Sequence, residues 1–152
     1  MDGVTAEIKE FVNKVKLGFV ATVTADGLPN LSPKGTVIAW DDRHLAFADI
    51  HSPGTIQNLL INPAIEINVV DIFTRKGYRF KGRAEVHKGD TVFNDVVAYF
   101  REAGSKHPIN NIVLVIVEKV IPVWSPAYEA GLSEPEITER WIDYWKQIHE
   151  KQ

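Results

Sequence analysis

Two stretches of this chain hold residue types able to do chemistry together. Residues 29–35 read P-N-L-S-P-K-G, a strand carrying Ser32, Lys34 and Gly35, and residues 52–55 read S-P-G-T where a helix is predicted to begin. Ser52 suits an N-cap, and Pro53 suits the first helical position because its missing N–H would be unpaired there anyway. Gly54 and Thr55 leave the first backbone N–H groups approachable, with a hydroxyl beside them. Such a helix start, fed from a strand, attracts anions, since the unpaired N–H groups and the helix dipole both point outward. Taken alone, the same residues also describe an ordinary capped helix.

The elements that must position these residues follow from periodicity. Residues 5–15 set Ile8, Phe11, Val12 and Val15 on one helical face. A strand from Gly18 to Thr24 turns at Ala25-Asp26-Gly27 into a second, Leu28 to Trp40. Asp41-Asp42-Arg43 turns again, and His44 to Ile50 is the third strand. The helix over Pro53–Ile61 ends at Asn62-Pro63, and a strand over Ala64–Val70 follows. From Gly77 to His87, Tyr78, Phe80, Ala84 and Val86 alternate with Arg79, Lys81, Arg83 and Glu85. Asp90 caps a helix whose buried stripe is Phe93, Val96, Val97 and Phe100. Ile112 to Val120 is apolar on both faces, which predicts a central strand. Near the C-terminus Ser133 and Glu136 fit a capping box, and the helix after them gathers Ile137, Trp141, Tyr144, Trp145 and Ile148 on one face. Those aromatics need a partner surface, either this chain's own barrel or a second copy.

Composition narrows the function classes. The chain has 152 residues, a net charge of −3, four tryptophans and no cysteine. Its length suits one domain with a real core. The charge gives no reason to expect nucleic-acid binding, and the absence of cysteine excludes disulfides and thiol catalysis. No apolar run approaches the length needed to span a bilayer, so a soluble, cytoplasmic protein is expected. His44, His51, His87, His107 and His149 lie far apart without an H-x-x-x-H pattern, so no metal site is expected.

The order of the motifs says more than any one of them. A strand end A-D-G-L-P-N, the S-P-K-G strand, an F-A-D strand end, the Ser/Thr/Asn helix start, N-P and the later strand G-Y-R-F-K-G-R-A follow one another here. This series resembles the pyridoxamine-phosphate-oxidase-like split-barrel flavoproteins, small proteins that bind FMN, over roughly residues 6 to 121. The resemblance implies a phosphate held by Ser52, Thr55 and the helix N-terminus, with Asn58 one turn on. It implies a slot for the flavin ring along the backbones of Ala48-Asp49-Ile50 and of Ser32-Pro33-Lys34-Gly35, Gly35 permitting close approach. Lys34 is the best candidate cation, at the phosphate or near the reduced ring, with a solvated strand lysine as the plain alternative. Two departures stand out. The oxidase proper has a Ser-Arg-Lys run where this chain has Ser52-Pro53-Gly54; Lys34, Arg79, Lys81 or Arg83 could substitute, and spacing does not decide among them. The oxidase's substrate-binding Arg and His residues have no match.

These readings converge on a mainly β protein: one domain over 1–152, a six-stranded antiparallel split barrel with peripheral helices and a helical extension over about 125–152. The expected assembly is a homodimer with FMN at its interface. The expected activity is flavin-dependent oxidation or reduction of a small molecule, with a nicotinamide donor and no assigned catalytic acid or base. The rivals are a non-catalytic flavin carrier or sensor, and the same barrel holding a deazaflavin coenzyme or haem.

Overall fold

The computed structural model describes residues 3–151; residues 1, 2 and 152 of the expected 1–152 domain lie outside the described residues. Helix α1 (Ala6–Val15) starts at Thr5, whose hydroxyl accepts the Ile8 N–H, and buries Ile8 and Val12. Strands β1 (Gly18–Val23) and β2 (Pro29–Lys34) form a hairpin, as do β3 (Ile38–Ala39) and β4 (His44–Asp49). Then come α2 (Pro53–Ile61), β5 (Ala64–Val70), β6 (Lys76–His87), α3 (Thr91–Glu102), β7 (Asn111–Trp124) and α4 (Glu134–Glu150). The strands make one antiparallel sheet in the order β2-β1-β5-β6-β7-β4-β3, curled into a split barrel. Among the described residues no helix is long and apolar enough to cross a membrane.

The expected split barrel is present, with seven strands where six were expected. The strand anticipated over Leu28–Trp40 is two, because Gly35-Thr36-Val37 leaves one edge of the sheet and crosses to the other. Apolar residues continue through the break and conceal it. Thr36 continues the β3–β4 ladder with its side chain: its Oγ1 accepts the Ala48 N–H at 3.0 Å, opposite where a strand residue would stand.

β7 explains its own sequence. Val113, Val115 and Val117 join the barrel interior with Val20, Phe47, Ile67 and Phe80, while Ile112 and Leu114 meet Val96 and Phe100 of α3. Both faces are therefore covered and both must be apolar. Each such side chain taken fully out of water contributes about 1.5–3 kcal/mol.

α4 begins against the turn between β5 and β6. The Arg75 guanidinium lies 3.6 Å from the Trp141 ring centre, Lys76 pairs with Glu134 at 2.9 Å, and the Tyr128 hydroxyl donates to Thr74 O at 2.6 Å. Arg75 has a left-handed backbone (φ 58°), a conformation costing about 1–2 kcal/mol that the stacking on Trp141 helps to offset. Ile137 is buried, Trp141 and Trp145 are half-buried, and Tyr144 is 48% exposed.

Close strand packing sets one testable expectation. A Cβ at Gly82 would lie 2.0 Å from Ile116 O, whereas one at Gly35 would meet nothing within 4 Å. Backbone cannot yield as a side chain can. Gly82→Ala should therefore lower stability by at least about 1–3 kcal/mol, while Gly35→Ala should stay within about 0.5 kcal/mol of the parent, both read by denaturant titration.

Candidate functional site

The end of β4 and the start of α2 form a short corner. The Ser52 N–H donates to Asp49 Oδ1 at 2.7 Å, and the Asn111 side-chain amide donates to Asp49 Oδ2 at 2.7 Å. Asp49 is thus buried (3% exposed) with both oxygens engaged. Asn110 adds two ties, its N–H to Asp49 O at 2.9 Å and its side-chain amide to Ile50 O at 3.0 Å.

Ser52 occupies the N-cap position of α2, yet its hydroxyl caps nothing. That corrects the capping expectation, and the cause is a tertiary partner: Ser52 Oγ accepts from Lys34 Nζ at 2.7 Å. Lys34 Nζ also donates to Ser32 Oγ at 2.7 Å, since residues two apart on β2 share a face. With no side chain capping α2, the N–H groups of Gly54 and Thr55 are left to whatever approaches that end. One ammonium, two hydroxyls and a helix start therefore converge.

The other expected residues divide. Pro33 lies on the exposed side of β2, away from Ser32 and Lys34. Gly35 is exposed beside the seat. The Ala48 N–H is already taken by Thr36, and the carbonyls of Asp49 and Ile50 by Asn110. Thr55 is buried, 4% exposed. Asn58 points inward and donates to Thr22 Oγ1 at 3.0 Å, tying α2 to β1. Among the candidate cations the curl of the sheet brings Lys34 to Ser52. Arg79 binds Glu66 through Nε and Nη2 at 2.9 and 2.6 Å, and Lys81 and Arg83 are exposed elsewhere on β6. Asn110 and Asn111 were missed: they lie about sixty residues from their partners, and the only local signal is an Asn-Asn pair opening the central strand.

Burial pushes the Lys34 ammonium below the ordinary lysine value, and the charge of Asp49 pulls it part of the way back. Its hydrogen bonds go to hydroxyls rather than to a carboxylate. A desolvated ammonium so placed suits a bound oxyanion such as phosphate. Next to it opens a pocket of about 330 Å³ lined by His51, Pro53, Gln57 and Asn110 among others. A larger cavity of about 600 Å³ lies between α1, the ends of β6 and β7, and the start of α4. Its Lys76 already serves Glu134, and Ser32, Lys34 and Ser52 are not among its walls.

Comparison with known proteins bears on this geometry. The sequence model of the pyridoxamine 5'-phosphate oxidase family matches residues 4–123. HupZ of Group A Streptococcus is similar in structure at 30% identity and a TM-score of 0.71, covering 80% of this chain and 94% of its own. An FMN-binding protein from Syntrophomonas wolfei shares the fold at 15% identity and a TM-score of 0.65, covering 77% of this chain and 84% of its own. An F420 reductase shares it at 22% identity and 0.57, covering 74% and 94%. No curated protein matches the chain.

Lys34→Met is the direct test of the seat. Loss of a charge-assisted bond of about 1.5–3 kcal/mol should weaken binding of a phosphate ester, read with FMN by calorimetry, about ten- to hundredfold. Ligand-free stability should not fall, because burial already disfavours the charged ammonium. The pH response has a definite sign. Anion binding needs protonated Lys34, so affinity is full below its lowered pKa and declines as pH rises through it, whereas the variant lacks this decline.

Proposed function

The chain belongs to the pyridoxamine 5'-phosphate oxidase family, and from that premise we propose that it is an FMN-binding flavoprotein performing redox chemistry on a small molecule. The observation that carries this reading is the Ser52 hydroxyl, turned from its own helix to Lys34 and leaving the start of α2 uncapped. A phosphate monoester there meets the ammonium, the hydroxyls of Ser32 and Ser52, and backbone N–H groups, the donor set its oxygens require. Gly35 and Gly54 support the fit. Neither has a left-handed backbone, and a Cβ at either would meet nothing within 4 Å. Neither the turn nor the packing requires a glycine at these positions, which leaves room for a ligand.

Bound FMN would supply the hydride chemistry between a reduced nicotinamide and a small acceptor. The chain's part is to bind and orient. Lys34 and the α2 start fix the phosphate end, and the β4 corner, held by Asn110 and Asn111, fixes the wall beside it. Where the oxidase proper has a Ser-Arg-Lys run this chain has Ser52-Pro53-Gly54, so Lys34 on β2 supplies the cation instead, and that enzyme's substrate-binding Arg and His residues have no match. The reading is therefore a flavoprotein of the family acting on another small molecule.

A second copy completes the proposal. Phe19 and Leu31, 40% and 68% exposed, stand with Val123 and the Arg79–Glu66 pair on the outer face of the sheet. We assign this face to a homodimer contact, with the far end of α4 and its exposed Tyr144 reaching toward the partner. Covering that face would remove apolar surface from water.

Calorimetry should show FMN binding more tightly than riboflavin, which lacks the phosphate, and equal affinities would sink the proposal. Steady-state oxidation of NADH or NADPH across a panel of acceptors should proceed with flavin present; a loaded protein that turns over none of them is a carrier. Light scattering should report a dimer, and truncation after Ser125 should weaken it and raise flavin fluorescence.

A further inference from the structure

The seat contains a carboxylate that an anion site would be expected to exclude. Asp49 and Lys34 meet the two ends of one serine: Asp49 Oδ1 takes the Ser52 N–H, and Lys34 Nζ donates to the Ser52 hydroxyl, each at 2.7 Å. A buried carboxylate this near an ammonium ordinarily closes on it as an ion pair. Here it does not: Lys34 bonds Ser32 and Ser52, and the second Asp49 oxygen accepts from Asn111 at 2.7 Å. We propose that Asp49 and Asn111 are positioning residues of the phosphate seat, Asn111 restraining the Asp49 carboxylate so that Lys34 stays available to an incoming anion. This inference rests on the reading of the seat as the FMN phosphate site.

The arrangement has three consequences. Asp49 fixes the Ser52 backbone, so the serine hydroxyl faces Lys34 rather than α2. Its charge keeps the desolvated lysine nearer its protonated form without occupying it. The third concerns Asn111, which stands at the start of β7 opposite Asp49 in the β4 ladder, a backbone register that any residue could fill. Only its side-chain amide supplies the restraint.

The test separates restraint from plain structural support. FMN and riboflavin affinities are measured by calorimetry for the full chain, Asn111→Ala, Asp49→Asn and the double variant, with melting temperatures confirming that each is folded. Asn111→Ala releases Asp49 onto Lys34, so FMN affinity should fall about fivefold or more while riboflavin affinity stays put. Asp49→Asn retains an acceptor for the Ser52 N–H, and a rotated Asn111 amide can still bond it. The double variant has no carboxylate to close on Lys34 and should recover most of the FMN affinity lost in Asn111→Ala. Asn111→Ser provides the same release should the alanine variant not fold. A double variant as weak as Asn111→Ala, or weaker, overturns the assignment while leaving the seat intact. A parent protein that binds FMN and riboflavin equally removes the seat, and this assignment with it.

Discussion

The structure depends on a short link between distant edges. β2 and β3 are the two edge strands of a seven-stranded sheet, yet only Gly35-Thr36-Val37 separates them in the chain. Laid flat, six strand spacings of ~4.8 Å would part those edges by about 29 Å. The four steps from Lys34 to Ile38 reach at most about 14 Å. The sheet must therefore roll up, and no choice of side chains could leave it open. The candidate site lies at that seam. Lys34 comes from one edge strand and Ser52 from the loop after β4 near the other, and they meet at 2.7 Å because the roll has brought the edges together.

This constraint also decides what the sequence could show. The bounds of α2 and β5 match the prediction, since Ser52-Pro53, Asn62-Pro63 and the alternation around them are local signals. The central place of β7 was legible too, because a strand covered on both faces must be apolar on both. The break after Lys34 was not. Thr36, Val37 and Ile38 favour strand by type, and a crossing between edges leaves no composition of its own. Asn111 was invisible for a similar reason, being paired with a residue 62 positions away.

Ser52 and Asn58 show how local rules yield to tertiary ones. Serine before proline at a helix start is a good cap by every neighbouring residue, but an ammonium from β2 offers its hydroxyl a stronger, charge-assisted partner. Asn58 has a side chain suited to a ligand, but Thr22 on β1 lies within reach and takes its amide. Which partner each met was set by the curl.

The same strand order governs how the barrel can form during synthesis. The hairpins β1–β2 and β3–β4 leave the ribosome first, but in the sheet β5, β6 and β7 stand between them. β4 has no neighbour on its inner side until β7, the last strand, is complete. Closure therefore waits on the final third of the chain: β1 gains its neighbour β5 early, but the β3–β4 hairpin carries an unpaired edge until β7 arrives. A topology dominated by such distant pairings folds more slowly than one of nearby contacts. Nascent chains of this protein thus spend most of their synthesis as open half-sheets, the stage at which chaperones have most to protect.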